Sequence, residues 1–593
     1  MNLIRICLTV SSTLQAAWPA RAETLGEFDF VIIGGGTSGL TVANRLSELE
    51  EITVAVVEAG SDERNNPNVT NLDEFGLGIG TRIDWAYQSV NQAYAANQTL
   101  AYSAGKALGG TSTINGMTYI RAEDVQIDVW EKIGNRGWNW ANLLPYYKKS
   151  ESFQIPSKDQ VDAGASYEEA YHGYEGYLDV GYPLKLTNGS FSNVVQATWE
   201  NRGFPFNEDV NSGHVRGFSV WPMTVDRDKN VREDAARAYY HPIEGRANLK
   251  VFNGIVSRIL WKDQEVEKSD STAVADGVEF ISPDGATQSI RATTEVIVSA
   301  GALRSPAILE LSGVGNPNIL EKHGVKTKVS LPAVGENLQD QPNNSIMYQG
   351  KEIILGKGPY ATFATITDIL GDETAAIAAS TRAKLGEWAR AVSDASDGVI
   401  SAESLEYLFT LQHDLIFQKN VPFFELLTTN YNDRLASVFW GLLPFSRGSV
   451  HIGSADPLEY PLINPNFFLV DFDLLPQVAL AKEARKFWAT EPASEIAVTE
   501  IMPGLSEVPE NATDEEWEAW LKASFISNSH PVGTLAMMPR ELGGVVDDTL
   551  LVYGTKNVRV VDASVLPFQV SGHLTSTLYA VSEKAADIIK AFH

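Results

Sequence analysis

The apolar run Phe28-Asp29-Phe30-Val31-Ile32-Ile33 opens directly into Gly34-Gly35-Gly36-Thr37-Ser38-Gly39. Nineteen residues past Gly39, Glu58 closes a second apolar run, Val54-Ala55-Val56-Val57. That spacing predicts a strand, a tight turn, a helix and a second strand. The first glycine permits the turn, the second lets a pyrophosphate approach the backbone, and the third lets helix and strand pack closely. Phosphates at such a turn meet the free N–H groups and the dipole of a helix N-terminus. Glu58 is placed to accept hydrogen bonds from a ribose diol, so the expected ligand is a dinucleotide. A nicotinamide and a flavin dinucleotide are both open at this point, as is a glycine turn without a ligand.

The chain has 593 residues, more than one compact core holds, so two or more structural units are expected. A formal charge of −29, from 75 acidic and 46 basic side chains, argues against nucleic acid or an anionic membrane as partner. No stretch approaches the ~20 apolar residues a membrane span needs. Residues 1–22 read as a secretory targeting segment: Arg5, a mixed apolar stretch, then Ala20-Arg21-Ala22. The single cysteine, Cys7, lies inside it, so the remaining chain has no disulfide, metal thiolate or cysteine nucleophile. N-x-Ser/Thr triplets at Asn68, Asn97, Asn188, Asn343 and Asn511 suit a glycosylated secreted protein.

Strand patterns return at Leu249–Phe252, Ser257–Leu260 and Glu295–Ala300, the last running into Gly301. The stretch from about 150 to 225 is rich in turn formers and reads as irregular structure plus strands. Residues 373–392 read as a helix. A final strand, Val558–Asp562, precedes a long amphipathic helix through Ile589, and the two are expected to complete the nucleotide-binding domain.

Two longer motifs follow, Gly105-Lys106-Ala107-Leu108-Gly109-Gly110-Thr111-Ser112-Thr113-Ile114-Asn115-Gly116-Met117 and Gly301-Ala302-Leu303-Arg304-Ser305-Pro306 through Gly315. With His530-Pro531-Val532-Gly533-Thr534 and Gly572-His573, they resemble the glucose–methanol–choline (GMC) family of flavoprotein oxidoreductases. The resemblance covers nearly the whole chain after residue 22 and is closest to the branch of glucose oxidase and fungal FAD-dependent glucose dehydrogenase. It implies an α/β fold, with a Rossmann-like FAD-binding domain and a discontinuous α+β substrate domain of antiparallel sheet covered by helices. On that reading 23–60, 230–325 and 537–593 form the FAD domain, and 61–229 and 326–536 the substrate domain.

The resemblance makes the dinucleotide FAD. Gly34, Gly36 and Gly39 then surround the pyrophosphate, Glu58 holds the adenosine ribose and Val256 lies by the adenine. Gly109, Asn115, Gly116 and Met117 run along the flavin, and Asp562 and Ala563 fall beside the pyrophosphate or ribityl chain. Thr37, Ser38, Ala59, Thr113 and Thr575 complete the expected cofactor set. A nicotinamide dehydrogenase would need neither longer motif.

Hydride leaves an alcohol carbon more readily once the hydroxyl proton begins to leave. A neutral imidazole, with an intrinsic pKa near ~6.5, suits that task. Of nine histidines, only His530 and His573 lie where the family places its catalytic pair. His530 is expected to be the base and His573 the second hydrogen-bonding group, whereas His413 and His451 are read as structural.

The substrate end departs from the family. Glucose-oxidising relatives commonly carry Arg four residues before the first catalytic histidine, where this chain has Ile526; Asn528 does match. The dehydrogenase branch has an acid where this chain has Val438, before Phe439-Trp440, and a Tyr where it has Phe75. A buried sugar hydroxyl left unpaired costs about 1–3 kcal/mol. A pocket of Phe75, Val438, Phe439, Trp440 and Ile526 therefore predicts a less polar alcohol, aromatic or allylic, such as an intermediate of specialised metabolism. A glucose enzyme with a tolerant pocket is the alternative. Oxygen or a quinone is the expected electron acceptor. Oligomeric state is open, a homodimer being the assembly considered.

Overall fold

The computed structural model describes residues 23–72, 76–186, 190–262, 272–356 and 358–593. The expected targeting segment, Phe75 and Asn188 lie outside them.

The first sheet grows outward from the glycine turn. Strand Glu23–Ile33 lies between Val54–Glu58 and Thr287–Val298, parallel to both, with Leu249–Asn253 parallel on the far side of Val54–Glu58. Val558–Val560 joins parallel to Thr287–Val298, and Ala275–Ile281 and Ile255–Trp261 extend the sheet antiparallel. All five residues of Val54–Glu58 are buried, the mark of a parallel strand covered on both faces. Strands far apart in sequence thus share one sheet. A bidentate ion pair between Arg45 and Glu583 (2.7 and 2.8 Å) clamps helix Thr37–Leu46 to the last helix, Leu574–Phe592.

The second sheet is antiparallel throughout, in the order Ala497–Met502, Pro342–Gly350, Arg434–Gly441, Pro422–Tyr431, Tyr360–Thr365, Gly217–Val220. One face is closed by helix Leu474–Ala489. Gln477 donates to Pro342 O and to Asn344 Oδ1, and Trp488 Nε1 donates to Ser437 Oγ. The other face is only half-buried at Ser345, Leu427 and Val438. Along Pro342–Ser345 and Leu426–Thr429, buried residues alternate with half-buried ones, because successive side chains point to opposite faces. Helix Thr374–Ala395 covers the segment expected to be helical. Ser190–Asn201 is a helix that the turn-rich composition around it had hidden.

Candidate active site

At the glycine turn, Gly34 has φ of +102° and a Cβ there would lie 2.5 Å from Ser299 O. A Cβ on Gly39 would lie 2.0 Å from Gly34 O, so helix and strand pack at a distance only glycine allows. Gly36 differs: it caps the helix with no side-chain hydrogen bond, and its nearest neighbour is Gly110 Cα at 3.6 Å. The first-turn N–H groups of Thr37, Ser38 and Gly39 therefore face an uncapped anion cradle. Glu58 is buried beside it and accepts the N–H groups of Gly35 and Gly60, each at 2.7 Å; burial pushes its carboxyl up to about 7. Ala59 is half-buried next to it.

The Gly105–Met117 segment packs against this turn. Gly109 donates to Gly35 O at 2.8 Å, and a Cβ on Gly110 would lie 2.6 Å from Gly36 Cα. Thr113 Oγ1 ties the following turn to Gly110 O. Asn115 orders the end of the segment, accepting from Met117 N and Arg232 Nη1 and donating to Thr575 Oγ1 at 3.3 Å. Gly116 is half-buried, and Met117 is held at φ +60°. Arg232 was not anticipated. Buried and, among the described residues, without a carboxylate in hydrogen-bond contact, it donates to the carbonyls of Val69, Ser112 and Asn115, and desolvation lowers its pKa to about 10.

Asp562 explains the Gly301–Ser305 motif. Its carboxylate accepts Gly301 N–H at 2.9 Å, Ser305 Oγ–H at 2.6 Å and two donors of Ser564. Ala563 follows it, and its carbonyl faces Gly533 N–H. Val256 is buried in Ile255–Trp261, the strand paired with Ala275–Ile281. Cradle, buried acid and glycine-lined segment together suit a dinucleotide carrying a flat ring.

The open face of the antiparallel sheet meets two histidines. The rings of His530 and His573 lie 5.0 Å apart at 88°, and Trp440 lies 5.7 Å from His573 and 6.5 Å from His530. His573 precedes the last helix, and its Nε2 meets Glu425 Oε1 at 3.0 Å. Glu425 and Trp440 are direct cross-strand partners on one face. Glu425 also escaped the sequence reading. Its one signal is a lone carboxylate in the apolar run Pro422-Phe423-Phe424-Glu425-Leu426-Leu427.

His530 is held from behind. Its backbone N–H donates to Asp340 Oδ1 at 3.0 Å, and its carbonyl accepts from Gln569. Its Nδ1 lies 2.9 Å from Gln341 Oε1 and 3.0 Å from Asn528 Nδ2. Burial, with His573 close by, holds its pKa well below the ordinary histidine value, so the imidazole is neutral.

Several substrate expectations change. Phe439 neighbours Trp440 in one strand, so the pleat turns it away from the histidines and buries it on the helix-covered face. Asn528 lies behind His530, accepting from Asn343 Nδ2 at 2.8 Å and donating to Gln341 Oε1 at 3.1 Å. Ile526 is 62% exposed in a short strand paired with Asn343. Val438 does share the face of Trp440, between Ser345 and Leu427. Asn343 is committed to Asn528, so a glycan on its side-chain nitrogen would break that contact; Asn97 and Asn511 are exposed. His451, read as merely structural, sits between Glu310 (2.8 Å) and Glu336 (3.1 Å). His413 is buried against Thr381 and Ala378 O.

The N-terminal GMC oxidoreductase family model matches residues 28–343 and the C-terminal one residues 444–582. The chain belongs to the GMC oxidoreductases. It is 51% identical over 591 residues to the glucose oxidase-like protein fsoC of Humicola fuscoatra, covering 100% of this chain and 99% of that one. It is 36% identical to glucose oxidase 2 of Penicillium expansum, covering 95% of this chain and 92% of that one. A solved fungal aryl-alcohol oxidase superposes with TM-score 0.83 at 27% identity, over 97% of this chain and 100% of that one. A solved FAD-dependent oxidoreductase of Chaetomium thermophilum gives 0.86 at 28%, over 95% and 99%. This GMC protein is an FAD-dependent oxidoreductase of alcohols or sugars.

Proposed function

We propose that this GMC enzyme oxidises an alcohol less polar than glucose, aromatic or allylic, to the carbonyl. The observation that carries the reading is one row of the open sheet face, Ser345–Val438–Leu427–Ala361, whose centre is apolar and adjoins the Trp440–Glu425 pair at the histidines. Phe363, opposite Glu425, adds a further apolar side chain to the Trp440 row. A flat apolar ring buries favourably there, whereas each sugar hydroxyl against Val438 or Leu427 would lose a partner. The fold likeness to an aryl-alcohol oxidase supports the same reading.

The protein's part in the reaction follows from the two histidines. His530, neutral and fixed from behind, accepts the hydroxyl proton at Nε2. His573, held by Glu425, orients the hydroxyl oxygen through a hydrogen bond. The Gly34–Gly39 cradle, Glu58, Val256, Asp562 and the Gly109–Met117 segment would hold FAD. Bound FAD supplies the acceptor for the hydride. The oxidases among the relatives support oxygen as the final acceptor. The segment 1–22 supports passage through the secretory pathway, with the triplets at Asn97 and Asn511 on exposed surface.

A sugar substrate is the second reading. It is favoured by Glu425 Oε2 and Trp440 Nε1, buried polar atoms with no hydrogen-bond partner among the described residues, and by the kinship with glucose oxidases. Anaerobic mixing with glucose and with benzylic and allylic alcohols separates the two through the rate of flavin bleaching. Faster bleaching by the apolar alcohols is expected; faster bleaching by glucose overturns the proposal.

A further inference from the structure

Nothing in the motifs says which nitrogen of His530 carries its proton, yet only one arrangement leaves the base usable. We propose that Gln341 is a positioning residue that selects the reactive tautomer of His530, holding the proton on Nδ1 so that the lone pair of Nε2 faces substrate. The inference rests on His530 being the base.

Gln341 is fully buried, and its amide orientation is set by its surroundings. Nε2 donates to Leu442 O at 2.9 Å, an atom that can only accept, so Oε1 is the atom facing His530. The backbone is pinned as well: Gln341 N–H donates to Asp340 Oδ1 at 2.8 Å, and Gln341 O accepts from Asn528 N–H at 2.9 Å. Asn528 is oriented by Asn343, which donates to its Oδ1, so its NH₂ group turns toward both Gln341 Oε1 and His530 Nδ1.

The two amides pull the imidazole in opposite directions. Gln341 Oε1, 2.9 Å from Nδ1, requires a proton there; Asn528 Nδ2, 3.0 Å from the same atom, would donate to a bare Nδ1. The balance favours Gln341 for two reasons. One hydrogen of Asn528 Nδ2 already has an acceptor in Gln341 Oε1, so a protonated Nδ1 costs the half-buried Asn528 only the second. Nε2 has no protein partner among the described residues, so the proton finds a protein acceptor only on Nδ1. Once Nε2 takes the substrate proton, the imidazolium keeps its Nδ1–H bond to Gln341, so the same contact serves before and after transfer.

Three titratable groups face this assembly. His573 lies across the pocket, Glu425 acts through His573, and Asp340 lies behind at the His530 backbone N–H. None of them touches Nδ1.

Nitrogen NMR of the holoenzyme with ¹⁵N-histidine reads the tautomer directly, the His530 signals being those lost in His530→Asn. The wild type is expected to show protonated Nδ1 and bare Nε2. Gln341→Met, which keeps the length and removes the acceptor, should move the proton to Nε2 and slow flavin reduction by ~10-fold or more, with KM within about twofold. Asn528→Asp puts a carboxylate oxygen near Nδ1; it should keep the Nδ1 tautomer and move the acid limb of kcat/KM upward by about one pH unit or more. A wild-type spectrum showing Nε2–H overturns the proposal without any variant. So does a Gln341→Met enzyme with unchanged tautomer and rate. Should His530→Asn reduce flavin at the wild-type rate, the base assignment itself fails, a result separate from either tautomer outcome.

Discussion

His451 offers a quantitative test of how the helix Ser305–Leu311 is tied to the loop that leads to Asp340 and Gln341. It lies between Glu310, in the helix Ser305–Leu311 beside the nucleotide sheet, and Glu336, in the loop leading to Asp340 and Gln341. The two carboxylates raise its pKa to about 10 against the cost of burial, while burial raises that of Glu336. A rise of about 3.5 pKa units at ~1.36 kcal/mol each sets an upper bound near 5 kcal/mol. The opposing shift of Glu336 reduces it, and about 3 kcal/mol is the working value, at the low end for breaking a buried ion pair. His451→Gln leaves the two carboxylates facing each other with no cation between them. At ~2.1 cal/mol/K per residue, unfolding entropy for a chain of this length is about 1.2 kcal/mol/K, so Tm should fall by roughly 2–3 °C. The folded state binds this proton more tightly than the unfolded chain does. The difference between wild type and variant is therefore full below about pH 6.5, shrinks as pH rises and is gone above about pH 10. Paired thermal melts of the holoproteins from pH 6 to 10 measure it. A gap that does not change with pH, or no gap at pH 6, refutes the ion-triad reasoning.

Gly39→Ala, whose Cβ would meet Gly34 O at 2.0 Å, should yield protein with little bound flavin, read from the ratio of visible to ultraviolet absorbance; full occupancy would contradict the cradle. His530→Ala should keep FAD but slow anaerobic flavin reduction by ~10²–10⁴-fold. In the wild type the acid limb of kcat/KM should lie below pH 6.5, since burial and His573 lower the pKa of the base; a limb above pH 7 would contradict this. Val438→Asp, in the middle of the open row, should shift the ratio of kcat/KM values toward glucose by about tenfold or more, and an unchanged ratio would remove Val438 from the pocket.

The glycine turn was legible because its geometry is local. Gly34, Gly36, Gly39 and Glu58 fall within one strand–turn–helix–strand unit, where backbone sterics and helix-end electrostatics act over neighbouring residues. The pairing of His530 and His573 was legible only through motif resemblance, since they meet by tertiary folding. The pocket wall was read less well. Phe439 was grouped with Trp440 as its chain neighbour, but the pleat of a strand sends neighbours to opposite faces, and only sheet pairing shows which face meets the histidines.

Sequence alone therefore determined the family and its cofactor, and named the glycine turn and the two histidines as candidates. Tertiary structure decided what surrounds those histidines. Glu425 and Gln341 reach the histidines, and Asn343 reaches Asn528 beside His530, from strands and loops about 150 to 190 residues away in sequence. No local propensity records such contacts, because side-chain hydrogen bonds between distant segments depend on strand register and on which carbonyls are left to orient an amide.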